Sequence, residues 1–190
     1  AIEKIIVSVS KEDEYWPEQG FIDHVKILQA EGGKERCYSV LNGLRVLSGI
    51  ASDDDWVMVH DVARPNIQAS DLQLLVDQAK DADGVLLGYP VRDTMKRSDS
   101  SNAVQHTVDR NLLWHALTPQ VFPLGKLRLA LENCLQQGLE VTDDASAMEQ
   151  MGFAPNIIEG RSDNLKITRP EDLALAEFYY QSLNLQKSYL

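Results

Sequence analysis

The chain has few cysteines and no long apolar run. Its 190 residues include only Cys37 and Cys134, too few for a disulfide framework, so reduced thiols are expected. No segment approaches the roughly 20 apolar residues that a membrane-spanning helix needs, and no secretory signal is visible where the sequence begins. These absences predict a cytoplasmic protein without membrane contact.

Common catalytic and nucleotide-binding signatures are absent as well. The chain lacks the dinucleotide-binding G-x-G-x-x-G, the P-loop, the hydrolase motif G-x-S-x-G, the zinc motif H-E-x-x-H and the redox motif C-x-x-C. The histidines have no zinc-like spacing, so each alone is expected to be structural, although His60 and His106 lie in segments with other candidate functional residues. Any chemistry therefore has to come from less standard clusters.

Basic side chains are outnumbered, with 18 Lys and Arg against 29 Asp and Glu, which gives a net charge of −11. This excess of negative charge argues against broad binding to nucleic acid or to an anionic membrane. It allows one small anionic ligand, because a few local cations outweigh distant charges that salt screens. The length, with 44% hydrophobic and 25% charged residues, predicts a single globular domain over residues 1–190.

Strand-like and helix-like segments alternate along most of the chain. Continuous β-branched apolar stretches predict strands, and apolar residues at i, i+3, i+4 and i+7, as in residues 37–44, predict helices. This alternation indicates an α/β fold with a mostly parallel sheet flanked by helices. The strands are expected at residues 4–10, 25–29, 56–60, 84–90, 156–159 and 165–168.

The segment at about residues 93–112 interrupts this alternation. It is polar, alternates only weakly and has a turn at residues 99–102, so it predicts a hairpin arm rather than a βα unit. Helix ends are expected at the candidate N-caps Ser70 and Thr142, at Gly138 and at Pro170.

Polar clusters follow several predicted strands, at the edge where open parallel sheets bind ligands. Gly32 and Gly33, with Ser39 one turn into a helix, allow backbone amides to approach a ligand, although a tight turn with a cap also explains them. Asp61 can hold Mg²⁺ together with phosphate oxygens, and Arg64 can pair with Asp61 or bind a phosphate. A purely structural Asp–Arg pair is the alternative.

The remaining clusters also have simpler explanations. Residues 92–97 and 106–110 carry four cations, which a solvated hairpin explains, and residues 142–146 fit a plain helix cap. Lys166 lies between Leu165 and Ile167 on a predicted strand and points to the opposite face. It is therefore a candidate for a lysine in a cleft, or else a surface lysine on an edge strand.

The order and the residue identities of these segments together are more specific than any one segment alone. HDVARP, RDTMKR, HTVDR, TDDASAME and DNLKITRPEDL together resemble the 2-C-methyl-D-erythritol 4-phosphate cytidylyltransferases of the non-mevalonate isoprenoid pathway. The resemblance covers the whole chain and implies a nucleotide-binding α/β domain that dimerises through an extended β-arm. It also implies transfer of CMP from CTP to methylerythritol phosphate, with release of pyrophosphate and with Mg²⁺ as cofactor.

The resemblance assigns roles at the nucleotide. Gly32, Gly33 and Ser39 match positions that hold the cytosine base and its ribose. Asp61 matches the residue that coordinates the metal and the phosphates, and Arg64 supports it.

The resemblance also assigns a catalytic role to Lys166 and further roles at the second substrate. Lys166 matches a basic residue facing the phosphates of CTP and is, with Asp61, a catalytic candidate, while Thr94 and Arg110 match arm residues that reach the partner subunit's methylerythritol phosphate. Weaker candidates are Thr118, Thr142 and Asp163.

The resemblance further implies a leading strand, a Gly-rich loop bearing an Arg and a Lys, and a helix, none of which is in this sequence. Losing those loop cations is expected to cost several powers of ten in rate, since one well-placed cation is worth about 10³–10⁵ in related chemistry. Two alternatives stay open, a non-catalytic dimerising or nucleotide-binding fragment of such an enzyme and a pentitol-phosphate cytidylyltransferase. RDTMKR with HTVDR favours methylerythritol phosphate as the substrate.

Overall fold

The computed structural model describes residues 1–80 and 82–187. Its strands are β1 (Ile5–Val9), β2 (Ile27–Glu31), β3 (Trp56–Val59), β4 (Val85–Pro90), β5 (Met95–Ser98), β6 (Val104–Val108), β7 (Trp114–Pro123) and β8 (Asn156–Glu159). Its helices are α1 (Arg36–Ser48), α2 (Ala69–Ala79), α3 (Leu124–Gln137), α4 (Asp144–Gln150) and α5 (Pro170–Lys187). The predicted α/β class is confirmed. Within the described ranges no helix combines the length and apolar character needed to cross a bilayer.

The chain divides into two compact units, each assembled from separate chain segments. The first contains Ala1–Val59, Ala82–Gly84 and Val121–Pro155, and the second contains His60–Asp81, Val85–Gln120 and Asn156–Leu190. Strand β7 has residues in both units. The interpretation of residues 1–190 as one domain stays a prediction.

The first unit begins with β1 and β2, which pair in parallel with Ile5 opposite Ile27. Helix α1 follows and packs against both strands. Its residues Cys37, Leu41 and Leu44 are buried, as their spacing predicts. The helix therefore covers this strand pair with the apolar stripe that the sequence shows.

Helices α3 and α4 pack against each other in the same unit. Leu127, Leu131 and Met148 are fully buried in this core. Gly138 ends α3 with φ 67°, the left-handed conformation that glycine adopts at low cost. The helix end expected at Gly138 is therefore confirmed.

The second unit contains β4 between β7 and β8. Strands β4 and β8 are parallel, with Val85 opposite Asn156 and Leu87 opposite Ile158. Val85 and Leu87 are completely buried on one face and Leu86 is buried on the other, which explains why β4 is apolar on both faces. Helix α2 packs against β4 and buries Leu75.

Strands β5 and β6 form the predicted hairpin. They pair antiparallel, with Met95 opposite Val108 and Lys96 opposite Thr107, and the register shifts between Arg97 and Ser98. Asn102 closes the turn with φ 65°. Most side chains of the hairpin are exposed, as expected for the polar arm that the sequence indicates.

Several local expectations differ from the structure. Residues 165–168 are not a strand, because the Ile167 amide bonds to the Ala63 carbonyl in a turn rather than to a sheet. The N-cap of α4 is Asp143 rather than Thr142, since the Asp143 side chain accepts from the Ser146 amide at 2.8 Å. Gln68, not Ser70, caps α2. Strand β7 had no counterpart among the predicted strands.

Candidate functional site

A turn at residues 61–64 is the centre of the candidate site in the second unit. The Arg64 amide donates to the Asp61 carbonyl at 2.9 Å and closes the turn. The Ile167 amide donates to the Ala63 carbonyl at 2.8 Å, so the segment after β8 lies against the turn. Segments about a hundred residues apart in the sequence are thereby brought together.

Asp61 and Lys166 form an ion pair at this turn. Lys166 Nζ lies 2.9 Å from Asp61 Oδ2, and the Asp61 side chain is 13% exposed while that of Lys166 is 40% exposed. The pair therefore joins a mostly shielded carboxylate to an ammonium that solvent reaches. A pair with one partner this exposed contributes little to stability, so the ammonium can exchange partners at low cost.

Thr118 and His60 support the turn from within the second unit. The Asp61 amide donates to Thr118 Oγ1 at 3.0 Å, and Thr118 Oγ1 lies 3.0 Å from His60 Nδ1. The other ring nitrogen, His60 Nε2, lies 3.0 Å from the Arg64 carbonyl oxygen. Burial is the main cause that lowers the pKa of His60 below its usual range, which favours the neutral ring.

Asn164 links Arg64 to Thr118. Arg64 Nη1 donates to the Asn164 carbonyl at 2.9 Å, and Asn164 Nδ2 donates to the Thr118 carbonyl at 2.8 Å. Asn164 is 1% exposed, so these bonds form in a buried place where their loss would leave polar groups unpaired. Asn164 therefore fixes the strand that carries Thr118 relative to the turn.

Asp163, a weaker sequence candidate, is engaged by its own neighbour. Arg161 Nη2 donates to Asp163 Oδ1 at 2.7 Å, and Asn66 Nδ2 donates to the Asp163 carbonyl at 3.2 Å. Arg161 Nη2 also donates to the Asn66 carbonyl at 3.4 Å. These contacts favour a structural role for Asp163, in which it orders the segment that leads to Lys166.

The glycine loop lies in the first unit and is ordered by Ser39. The Gly33 amide donates to Ser39 Oγ at 2.9 Å, and Ser39 Oγ donates to the Glu35 carbonyl at 3.3 Å. The Gly32 amide donates to the Val9 carbonyl at 2.8 Å, which continues the pairing of β1 and β2. The predicted loop residues Gly32, Gly33 and Ser39 thus lie together in one ordered loop.

The arm candidates are on the exposed hairpin, and Thr142 is beside a helix cap. Thr94 directly precedes β5, and Arg110 follows β6 and donates to the Arg92 carbonyl. The Thr142 amide donates to Ser146 Oγ at 3.1 Å. These contacts leave the roles of Thr94, Arg110 and Thr142 at a ligand as predictions.

The donors at the turn fit a metal that arrives with phosphate. Among the residues that the structure describes, no group of three or more His, Cys, Asp or Glu side chains could hold a metal ion. A single carboxylate such as Asp61 suits Mg²⁺, which binds one or two carboxylates and completes its shell with phosphates and water.

The structure thus brings Asp61, Arg64, Thr118 and Lys166 together, and it adds His60 and Asn164. Sequence reasoning gave His60 and Asn164 no role, although each stands close to a predicted site residue in the chain. An available signal was polarity at positions adjoining buried strands, since such side chains need partners.

Comparison with known proteins gives one consistent result. The family model described as 2-C-methyl-D-erythritol 4-phosphate cytidylyltransferase matches residues 1–182. A protein of that name from Aeromonas hydrophila is 49% identical over 187 residues, which are 98% of this chain and 75% of the relative. Another, from Pseudomonas putida strain GB-1, is 52% identical over 175 residues, covering 91% of this chain and 74% of the relative.

Solved structures agree with this result. The crystal structure of the Francisella tularensis cytidylyltransferase of the same name superposes with a TM-score of 0.83 at 35% identity, covering 93% of this chain and 80% of that one. The structure of the Thermus thermophilus cytidylyltransferase gives a TM-score of 0.78 at 31% identity, covering 92% and 80%. This chain therefore spans about three quarters of the length of its curated relatives.

Proposed function

The chain belongs to the 2-C-methyl-D-erythritol 4-phosphate cytidylyltransferase family, and from this membership we propose how its residues serve the reaction. It is a nucleotidyltransferase of isoprenoid biosynthesis that transfers CMP from CTP to 2-C-methyl-D-erythritol 4-phosphate and releases pyrophosphate. The observation that supports the placement of the reacting phosphates is the Asp61–Lys166 pair, with atoms 2.9 Å apart at a turn that Arg64 completes.

The reaction requires no protein nucleophile. An oxygen of methylerythritol phosphate attacks the α-phosphorus of CTP and forms a new P–O bond. The bond from the α-phosphorus to the bridging oxygen breaks, and its electron pair leaves with pyrophosphate. Catalysis then consists of positioning the two phosphates and neutralising the charge that they share.

Lys166 supplies a mobile positive charge for this step. Its ammonium is paired with Asp61 but is 40% exposed, so phosphate oxygens can replace or share its contact with the carboxylate. Arg64 adds a second cation whose guanidinium the Asn164 carbonyl holds at 2.9 Å. The two side chains together offset charge on the transferring phosphate.

Mg²⁺ is the cofactor that the donor set favours, with Asp61 as its protein ligand. When bound, the ion neutralises phosphate charge. Lys166 lies at the same carboxylate, so two cations are compatible there only when phosphate oxygens bring negative charge. We therefore expect the protein to take up Mg²⁺ together with CTP and not before it.

The remaining roles follow the family resemblance. Gly32, Gly33 and Ser39 hold the cytosine base and ribose, and the hydrogen bonds that Ser39 makes support a loop that is ordered in advance. Thr94 and Arg110 on the arm serve the methylerythritol phosphate of a partner subunit in a homodimer. The buried free thiols of the two cysteines support a cytoplasmic location.

A pyrophosphate-release assay on the intact protein tests this function. Pyrophosphate should form from CTP only when methylerythritol phosphate and Mg²⁺ are both present. Equal turnover with ribitol phosphate would instead favour a pentitol-phosphate cytidylyltransferase. CTP binding without turnover would favour the non-catalytic nucleotide-binding alternative.

Matched lysine variants test the placement of the site. Lys166→Met should lower kcat/KM by about 10²–10³-fold, because it removes a charge from the transition state. Lys11→Met is the control, since Lys11 forms an exposed ion pair with Glu31 at 2.8 Å and should leave the rate unchanged. Equal activity of the two variants would contradict the assignment of Lys166.

A further inference from the structure

We propose that His60 is a positioning residue that holds both ends of the Asp61–Arg64 turn and thereby fixes the Asp61 carboxylate for the reaction. The inference deepens the proposed function and rests on it. Its basis is that both nitrogens of one half-buried ring have partners at 3.0 Å: Nε2 lies beside the Arg64 carbonyl oxygen at one end of the turn, and Nδ1 lies beside Thr118 Oγ1, which binds the Asp61 amide at the other end.

Only one assignment of donor and acceptor satisfies the two hydrogen bonds of the neutral His60 ring. The Arg64 carbonyl oxygen only accepts, so His60 Nε2 must carry the proton and donate to it. His60 Nδ1 is then the acceptor, and the Thr118 hydroxyl donates to it. The oxygen of that hydroxyl in turn accepts from the Asp61 amide at 3.0 Å. The hydroxyl is thus oriented by the ring on one side and binds the Asp61 backbone on the other.

This arrangement fixes the backbone of Asp61 from several directions. Its amide is bound by Thr118, and its carbonyl accepts from the Arg64 amide at 2.9 Å. Thr118 is only 4% exposed, so water cannot easily substitute for His60 as the partner of its hydroxyl. Because the backbone is held, the Asp61 side chain can adopt few orientations. Its observed orientation places Oδ2 at Lys166.

A rigid imidazole suits this role better than other side chains. It offers an acceptor and a donor at a fixed separation in one plane, whereas an amide side chain can reproduce only one of the two positions. Asn in place of His60 keeps an acceptor near the Nδ1 position, and Gln keeps a donor near the Nε2 position. The two halves of the proposed support can therefore be removed separately.

The test compares His60→Asn, His60→Gln and His60→Ala with the wild type, each assayed with saturating methylerythritol phosphate and Mg²⁺ at a temperature where it is folded. We expect kcat to fall about 10- to 100-fold in the alanine variant and less in the other two, because small displacements of reacting groups are costly. The KM for CTP should change much less than kcat. His115→Gln is the control, since His115 stacks on Tyr89 with centroids 4.5 Å apart and does not support the turn.

A second readout does not depend on turnover. Hydrogen exchange of the Asp61 amide should speed up in His60→Gln, which loses the partner of the Thr118 hydroxyl, more than in His60→Asn. Unchanged kcat per folded molecule in all His60 variants of an active enzyme would overturn the inference. If the wild type itself is inactive, the proposed function fails, and unchanged exchange at Asp61 would then overturn the inference independently.

Discussion

Position 33 requires glycine because of a close neighbour and not because of its own backbone angles. It does not have a positive φ, yet a Cβ built on it would lie 2.2 Å from Tyr38 Cβ and 2.9 Å from the Tyr38 carbonyl carbon. The sequence predicted that glycine lets the backbone approach a ligand here. The structure shows that it also lets the loop approach the first turn of α1, where Ser39 binds the Gly33 amide.

Gly33→Ala should therefore disturb the loop. Relieving the overlap is expected to cost about 1–3 kcal/mol, as for other overpacked sites. Because the strain falls on the proposed base-binding loop, the KM for CTP should rise about tenfold or more, with a smaller effect on the KM for methylerythritol phosphate. Steady-state kinetics with each substrate varied in turn measure the difference.

Gly20→Ala is the matched control, since a Cβ at Gly20 meets nothing within 4 Å. It should change neither KM. An equal rise of both KM values in Gly33→Ala would place the damage outside the nucleotide loop.

At the scale of elements, the start of α5 anchors the Lys166 segment. Asp172 Oδ2 accepts from the Thr168 amide at 2.9 Å, from Thr168 Oγ1 at 2.8 Å and from the Arg169 amide at 2.9 Å. Led by the Thr168 amide, these bonds hold the pKa of Asp172 below its usual value. A carboxylate at this helix start therefore ties down the residues that closely follow Lys166.

The stabilisation by Asp172 should depend on pH. Since its folded pKa is below its unfolded pKa, the contribution is present above the unfolded value of about 3.9 and is lost as pH falls through the folded value. Asp172→Asn should lower Tm by a few degrees at pH 7, and the gap to the wild type should shrink as the pH falls below about 4. Thermal melts between these pH values measure it.

Glu171→Gln is the control for that experiment. Glu171 lies in the same first turn, and its carboxylate is 3.9 Å from the exposed Arg169. This substitution should leave Tm nearly unchanged. A constant gap between Asp172→Asn and the wild type at all pH values would contradict the linkage.

The elements that the sequence predicted well are those with a strong local pattern. The apolar stripe of α3, its terminal Gly138 and the start of α5 at Pro170 all follow from residues a few positions apart. Strand β7 (Trp114–Pro123) has no such local pattern. Pro119 lies within it and is atypical of a strand, and the burial of the strand comes from residues distant in the sequence. Residues 165–168 alternate like a strand, but the Ile167 amide bonds to a turn and not to a sheet edge.

The candidate site shows the same difference between residues with a local signal in the sequence and residues without one. Motif order singled out Asp61 and Lys166, whose carboxylate and ammonium are 2.9 Å apart. It gave no role to His60 or Asn164, because their importance lies in which groups they bind, and those partners are up to 100 residues away. Long-range hydrogen bonding has no periodic signature in a sequence.

For the whole molecule, the net charge of −11 describes the surface and not the site. Arg64 and Lys166 meet at one turn and can act on a small phosphate ligand at distances shorter than the screening length of about 10 Å. The arm carries further cations, of which Arg110 is turned toward the Arg92 carbonyl. In the proposed homodimer Arg110 serves the other subunit.

Mixed dimers provide the test at this scale. Arg110→Ala should raise the KM for methylerythritol phosphate far more than the KM for CTP, and Asp61→Ala should abolish turnover. If the two residues act in one site from different subunits, a mixed dimer has one doubly altered site and one intact site. Random exchange in a symmetric dimer then restores about a quarter of the wild-type sites. Mixing the purified variants, with different affinity tags to isolate the hybrids, should therefore recover sites with the wild-type KM for methylerythritol phosphate, which neither variant has alone. Hybrids that form but show only the raised KM of Arg110→Ala would show that Arg110 and Asp61 do not share a site across subunits.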